Sequence, residues 1–209
     1  QKVPAATELA ERALTVRRGD RLDPENLVAG LVHLGYSRVE TVADRGDPRP
    51  WIAVHASTET ARHYDYVKDW PADAWRALFR ETARRHDVRF VLLGQGRDPP
   101  LEGRSVIDLR GRTGFLAMLA LVRTRCAALV APDGGILNAV YFLDAGFPVT
   151  VVSLWSDPRQ GLLKARARSP NPELVHVPLV GEGDDVRRIA PADVLAALEI
   201  ALAPGSARP

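Results

Sequence analysis

The feature that most constrains this chain is a regular alternation of short apolar runs and helical stretches from Trp51 onward. Six of the runs have the length of a β-strand, and most are nearly continuous in Val, Leu, Ile and Ala. Continuous apolar strands are typical of a parallel sheet that is covered on both faces. The predicted strands are Trp51–Ala56, Arg89–Leu93, Val106–Leu109, Ala127–Ala131, Val149–Leu154 and Leu174–Val177.

The segments between these runs have the apolar spacing of helices. Trp75, Leu78 and Phe79 mark the core face of the first, and Phe115–Val122 is apolar enough to be a buried helix. Two more are predicted at Ile136–Leu143 and Pro191–Leu202. Strands that alternate with helices place helices on both faces of a parallel sheet. The sequence therefore predicts an α/β fold built on a Rossmann-like parallel sheet.

The residues before Pro50 have a different character. Pro48 and Pro50 bias the chain toward extended conformations and predict a linker. The linker divides the chain into an appendage at 1–47 and a main domain at 48–209. The appendage has the pattern of a small strand–helix–strand unit, which alone would bury too little surface to be stable. We therefore expect it to need a neighbour.

The composition is that of an ordinary globular protein, with 46% hydrophobic and 26% charged residues. The net charge of +2 comes from interspersed charges, which gives no reason to expect direct binding of nucleic acid. The single cysteine, Cys126, lies in an apolar run, which favours a buried structural thiol and excludes an internal disulfide. No apolar segment is long enough to span a membrane, and no signal region follows Gln1, so we expect cytoplasmic residence.

Several kinds of catalytic site have no support in the sequence. The histidines are too scattered for metal ligation, and no Cys pair or His-Glu-x-x-His pattern occurs, so we expect no metal site. The sequence also lacks a Gly-x-Ser-x-Gly elbow and a phosphate loop ending in Gly-Lys-Ser/Thr, which disfavours a hydrolase and an ATPase. His55 lies in a predicted strand, and we expect it to be structural.

The strongest candidate for a binding site is Asp133-Gly134-Gly135, which lies between a buried strand and the start of a helix. Glycines let backbone N–H groups approach a ligand closely, and the N-terminus of a helix favours phosphate. The alternative is that the two glycines only make a tight turn and that Asp133 only caps the helix. The residues by themselves leave both interpretations open.

Polar residues also follow two other predicted strands. Ser57 and Thr58 come after the first strand, and Lys68 precedes Trp70 in the same connection. Hydroxyls and a cation at a strand end suit an anionic ligand. The alternative is an ordinary polar loop on which Trp70 packs as a lid. Thr113 precedes a predicted helix, and an N-cap is the default explanation for it.

In their order along the chain, these junctions resemble the C-terminal half of glycosyltransferase family 9, the heptosyltransferase-like enzymes, over roughly residues 50 to 203. Each motif is weak alone, and the collinear set carries the resemblance. The motifs are Lys68-Asp-Trp-Pro71, Leu93-Gly94, Asp108-Leu-Arg-Gly-Arg-Thr113, Asp133-Gly-Gly-Ile-Leu-Asn138, Gly146-Phe-Pro-Val149 and Asp157-Pro158. The resemblance implies a Rossmann-like half of a GT-B architecture that binds a sugar nucleotide without a metal.

The resemblance also implies roles for individual residues. Lys68 would offset phosphate charge, a hydroxyl after the first strand would hydrogen-bond a phosphate oxygen, and the paired glycines would supply backbone donors while Asp133 holds their turn. The implied donor-phosphate residues are Ser57, Thr58, Lys68, Asp133, Gly134, Gly135 and Asn138, with a weaker set of Gly94, Gly111 and Thr113. No cofactor is implied, because the nucleoside-diphosphate sugar is itself the donor substrate.

Two departures from the family pattern bear on activity. Asn138 stands where the family has a histidine, which keeps a hydrogen-bond donor and loses any cationic form. Ile136 stands where the family usually has a proline. The acceptor-binding half, which supplies the general base in the family, is not in this chain. We therefore expect the donor-binding domain of an inverting glycosyltransferase that needs an acceptor-binding domain or protein for transfer.

Residues 1–47 resemble a different protein. The run Leu34-Gly-Tyr-Ser-Arg-Val39 looks like part of an interaction domain shared by transcription-repair coupling factors and the excinuclease B subunit. This resemblance implies a second hypothesis, an excision-repair module that binds the excinuclease A subunit. A third hypothesis is a degenerate Rossmann-like scaffold that binds no donor and serves only in assembly.

Overall fold

The computed structural model describes residues 47–57, 67–97 and 99–203. The predicted appendage, apart from Asp47, and the predicted site residue Thr58 lie outside these residues. The described strands are β1 (Trp51–His55), β2 (Arg89–Leu93), β3 (Val106–Asp108), β4 (Cys126–Pro132), β5 (Val149–Trp155) and β6 (Leu174–Val180). The described helices are α1 (Ala72–Arg85), α2 (Phe115–Arg125), α3 (Gly135–Tyr141), α4 (Gly161–Ala165) and α5 (Pro191–Leu202). A 3₁₀-helix covers Val186–Arg188.

The described strands form one parallel sheet in the order β3-β2-β1-β4-β5-β6. From β1 the chain builds outward through β2 to β3, then crosses back to place β4 on the free side of β1. Ile52 of β1 is therefore paired with Phe90 on one side and Ala128 on the other. The predicted Rossmann-like sheet is confirmed. In such sheets a crevice opens at the carboxyl ends of the strands where the order reverses, which here is between β1 and β4.

Helices cover both faces of the sheet because successive strand residues point to opposite sides. On one face, Ala53, Val91 and Leu129 pack against residues of α2 and α3. On the other face, Ile52 and Phe90 pack against residues of α1 and α5. Burial of one large apolar side chain contributes about 1.5–3 kcal/mol, so these two layers dominate the stability of the domain. The predicted burial of Cys126 is confirmed, since it is fully buried in the first layer.

Some elements differ from the prediction. The last strand extends to Val180 rather than ending at Val177. It continues through Pro178, which is opposite Ser153 on an edge strand, where a missing outward N–H costs no ladder hydrogen bond. Helix α4 and the 3₁₀-helix were not predicted, because segments this short have no hydrophobic period to recognise.

The segment at Pro48 and Pro50 is held against the domain at the amino ends of the strands. The Asp47 carboxylate accepts hydrogen bonds from the side chains of Arg49 and Arg89, and its carbonyl accepts one from Arg125. The hydrogen bonds from Arg49 and Arg89 hold the pKa of the Asp47 carboxylate well below its usual range. The entry into β1 is therefore fixed by an ionic cluster, and residues 47–50 belong to the folded body.

Candidate functional site

Residues that are distant in sequence lie close together at the crevice between β1 and β4. Val54 pairs with Val130, and three residues further along each strand come Ser57 and Asp133. Asp133 and Gly134 follow β4 directly, and Gly135 begins α3. The sheet topology thus brings the first and second predicted junctions to the same carboxyl edge.

Lys68 and Asp133 form an ion pair at this edge. The Lys68 Nζ atom lies 2.6 Å from the Asp133 Oδ2 atom, and the two side chains are 22% and 15% exposed. Asp133 does not cap α3, because the N-cap of that helix is Gly134 and it receives no side-chain cap hydrogen bond. The interpretation of Asp133 as a helix cap is therefore wrong, since its carboxylate is engaged with the ammonium of Lys68.

The two glycines after Asp133 have no conformational need to be glycine. Gly134 has φ −174° and ψ 177°, an extended backbone that any residue adopts. A Cβ added to Gly135 would meet no atom within 4 Å. Tight-turn geometry therefore does not explain the pair. The lack of a side chain at Gly135 leaves open space at the first turn of α3.

Asn138 lies one turn into α3. Its backbone N–H donates to the carbonyl of Gly134 at 3.1 Å, so the helical hydrogen bonding begins there. Its side chain is half-buried, and its amide has no hydrogen-bond partner within the described part of the chain. The position keeps donor capacity near the start of the helix.

The weaker predicted set has local structural roles. The Gly111 N–H donates to the carbonyl of Gly94 at 2.9 Å, which joins the turns after β2 and β3. Both glycines have positive φ, 128° at Gly94 and 65° at Gly111, and a Cβ on Gly94 would lie 3.1 Å from the His55 ring. Thr113 is not the N-cap of α2, a prediction that was wrong. Gly114 occupies that position, and the Thr113 hydroxyl donates back to the carbonyl of Leu109 at 3.3 Å.

Two anchors hold the segment that carries Lys68. The hydroxyl of Ser156 donates to the carbonyl of Val67 at 2.5 Å, and the indole N–H of Trp70 donates to the carbonyl of Ile189 at 3.0 Å. Trp70 is 1% exposed and packs edge-on against Trp75, so it belongs to the core and is not a surface lid. Sequence reasoning missed Ser156, although its place directly after β5 puts it at the carboxyl edge.

The first residue of α4 lies close to Asp133 and to Trp155. A Cβ on Gly161, the first residue of α4, would lie 2.9 Å from the Trp155 ring and 3.1 Å from the Asp133 Oδ1 atom. Gly161 also has φ 46°, so glycine is required there both by conformation and by close approach. In the turn before α4, the Asp157 carboxylate accepts hydrogen bonds from Arg159, which lowers the pKa of Asp157.

His55 and His176, two histidines of the described ranges, are partly buried. Burial lowers the pKa of His55 to about 4, which keeps it neutral near pH 7. His176 shares a 2.7 Å hydrogen bond with the Ser153 hydroxyl, which also accepts the Trp155 indole N–H, and burial lowers the pKa of His176. No group of three or more His, Cys, Asp or Glu within 47–57, 67–97 and 99–203 could hold a metal ion.

The fold and the crevice together define a Rossmann-like α/β domain with a charged candidate site at the point where the strand order reverses. Solved structures with this fold include the ADP-heptose lipopolysaccharide heptosyltransferase II of E. coli, at 20% identity and a TM-score of 0.53, covering 75% of this chain and 47% of that one. A family 9 glycosyltransferase from Veillonella parvula has 17% identity and a TM-score of 0.56, with coverages of 82% and 49%.

An E. coli heptosyltransferase solved with ADP has 17% identity and a TM-score of 0.55, covering 84% of this chain and 55% of its own length. The chain therefore spans about half the length of the glycosyltransferases that it matches. No family model matches the chain, and no curated protein matches it significantly. Among the helices that the structure describes, none combines the length and apolarity needed to cross a membrane.

Proposed function

We propose that this domain binds the diphosphate of a sugar nucleotide in the crevice between β1 and β4, as the donor-binding half of a heptosyltransferase-like glycosyltransferase. The observation that carries the proposal is the Lys68–Asp133 ion pair, which lies at the reversal of strand order beside the open first turn of α3. The likeness of fold to heptosyltransferases, one of them solved with ADP, supports the same reading.

The chemistry of the crevice suits a diphosphate. Lys68 supplies a cation, and the first N–H groups of α3 have no partner within the helix. The open space at Gly135 lets a phosphate approach these N–H groups. Ser57 adds a hydroxyl from the neighbouring strand end, and the amide of Asn138 adds a further donor. In the unliganded domain Asp133 holds Lys68, so a bound diphosphate must share the ammonium with this carboxylate or displace it.

In transfer, the same residues would stabilise the leaving nucleoside diphosphate as negative charge develops on it. Lys68 would act by charge and the backbone donors by hydrogen bonds, without a metal ion. The general base that activates an acceptor would come from an acceptor-binding domain or protein. We therefore infer that the described domain selects and holds the donor, and that transfer requires this second half.

Calorimetric titration of the chain with ADP, UDP and GDP, with and without EDTA, tests the proposal. We expect saturable binding of one of them that the chelator does not weaken. Lys68→Ala should weaken this binding by at least about tenfold, equal to about 1.4 kcal/mol. The matched control is Lys164→Ala, which removes an exposed lysine from α4 and should leave the affinity unchanged.

Equal binding by Lys68→Ala and the unchanged chain would remove Lys68 from the site. No binding of any nucleoside diphosphate would favour the alternative of a degenerate scaffold. The hypothesis of an excision-repair module depends on residues 1–47, nearly all of which lie outside the described residues, and it remains a prediction.

A further inference from the structure

We propose that Ser156 is a positioning residue that fixes the place of Lys68, and this inference rests on the proposed function of the Lys68 site. Ser156 follows β5 at the carboxyl edge of the sheet and is 8% exposed. Its hydroxyl donates to the carbonyl of Val67 at 2.5 Å. That carbonyl belongs to the peptide group that joins Val67 to Lys68, so its direction sets the direction from which the lysine side chain leaves the backbone.

The Ser156 hydroxyl is also held on its other side. It accepts the backbone N–H of Val186 at 3.2 Å, at the start of the 3₁₀-helix. One buried oxygen therefore connects the end of β5, the segment that carries Lys68 and the 3₁₀-helix. Because the donor and one acceptor site of the hydroxyl are both used, the group has little freedom to rotate away from Val67.

Of the two anchors, Ser156 is the one whose substitution can test the positioning of Lys68. The second anchor, Trp70, is a core residue, so its removal would disturb packing as well as position. Ser156→Ala removes one oxygen atom and leaves the Val67 carbonyl without its side-chain donor. The loss of this buried hydrogen bond should change the placement of Lys68, and through it the affinity for the ligand.

The first experiment is a double-mutant cycle on nucleotide affinity. Ser156→Ala should weaken nucleoside-diphosphate binding roughly fivefold in the otherwise unchanged chain. In a Lys68→Ala background the same substitution should cause no further loss, because the cation that it positions is gone. Ser156→Thr, which keeps the hydroxyl, should restore most of the affinity. An equal loss in both backgrounds, or no loss in either, would overturn the proposal.

The matched control is Ser169→Ala. The Ser169 hydroxyl has the same pattern of bonds, donating to the carbonyl of Tyr141 at 2.5 Å and accepting the N–H of Asn171 at 3.1 Å. It ties the end of α3 to the segment before β6 rather than supporting Lys68. We expect this variant to lose stability with an unchanged nucleotide affinity. An equal loss of affinity would mean that the effect of Ser156→Ala is a general consequence of a loosened fold.

A second readout needs no ligand, so it separates failure of this inference from failure of the proposed function. The chain has only three lysines, Lys2, Lys68 and Lys164, and methylation with ¹³C keeps their charge. The Lys68 signal is identified by its absence from Lys68→Ala. Ser156→Ala should shift the Lys68 methyl resonance in the unliganded protein, and Ser169→Ala should not. An unmoved Lys68 signal would overturn the positioning role even if nucleotides bind.

Discussion

The ammonium of Lys68 and the carboxylate of Asp133 lie 2.6 Å apart, although 65 residues separate them in the chain. The contact exists because β4 returns to the free side of β1, which brings the connections after both strands to one edge of the sheet. A cation at such a crevice is a ready partner for an anionic ligand, and here an internal carboxylate occupies it. Removing the charge of Lys68 and removing the charge of Asp133 should therefore have opposite effects on the affinity for the ligand.

Asp133→Asn should strengthen nucleoside-diphosphate binding by about 1 kcal/mol, or roughly fivefold. The substitution keeps the shape of the side chain, removes its negative charge from the vicinity of the phosphates and releases Lys68 from competition. Calorimetry on the variant and on Asp73→Asn, an exposed aspartate of α1, measures the difference. Weaker binding by Asp133→Asn would mean that the carboxylate is needed to hold Lys68 in place.

Gly135→Ala should separate binding from stability. Because a Cβ at this position meets no atom within 4 Å and the residue begins a helix, we expect a free energy of unfolding within about 0.5 kcal/mol of the unchanged chain. The added methyl group occupies the space through which a phosphate would approach α3, so nucleotide affinity should fall about tenfold. Unchanged affinity would place the ligand away from the first turn of α3.

Gly161→Ala, unlike Gly135→Ala, should lower the free energy of unfolding. The new Cβ would meet the Trp155 ring at 2.9 Å, and the residue would have to keep a φ of 46°. We expect a loss of about 1–3 kcal/mol in the free energy of unfolding by denaturant. A variant as stable as the unchanged chain would show that α4 does not pack against Trp155 as described.

The free energy of unfolding should fall as the pH is lowered from about 6.5 to 4, a range that lies largely above the usual pKa values of carboxylates. Burial lowers the pKa of His55 from 6.5 to about 4, so the unfolded chain binds more protons than the folded chain between these values. The contribution is fully present above about pH 6.5 and is lost as the pH falls toward 4, by up to roughly 3 kcal/mol. His176, whose pKa is also lowered by burial, adds to the same slope of the free energy of unfolding against pH.

Denaturant unfolding at several pH values between 4 and 7 measures this slope. His55→Leu, which removes the titrating group, should flatten most of it. A free energy of unfolding that stays constant in the unchanged chain from pH 6.5 to 4 would contradict a buried, neutral His55.

The sheet was predictable from the sequence because its four inner strands, β2, β1, β4 and β5, are buried on both faces. Leu92 and Val130, for example, lie in runs with no polar alternation, which leaves a parallel sheet between helix layers as the consistent fold. The strand order follows from no local pattern, yet it decides which loops meet. Asp133 and Lys68 were each recognised as candidates, and only the tertiary structure shows that they pair.

Thr113 was misinterpreted from the sequence and Ser156 was missed, and each case has a physical cause. Thr113 has the residue type of an N-cap, but its hydroxyl finds a carbonyl in the preceding turn and the helix begins one residue later. Ser156 shows no motif, because its importance comes from the Val67 carbonyl that lies 89 residues away in sequence. Long-range hydrogen bonds of single hydroxyl groups leave no periodic signal in a sequence.

The most direct test of the central claim is an NMR titration of the ¹³C-methylated lysines with ADP, UDP and GDP. If the diphosphate binds in the crevice between β1 and β4, the Lys68 resonance should shift saturably with one nucleotide while the Lys164 resonance stays in place. Calorimetric saturation with an unmoved Lys68 signal would locate the ligand elsewhere on the protein. A titration in which no lysine signal moves and no heat is released would contradict the proposed donor site.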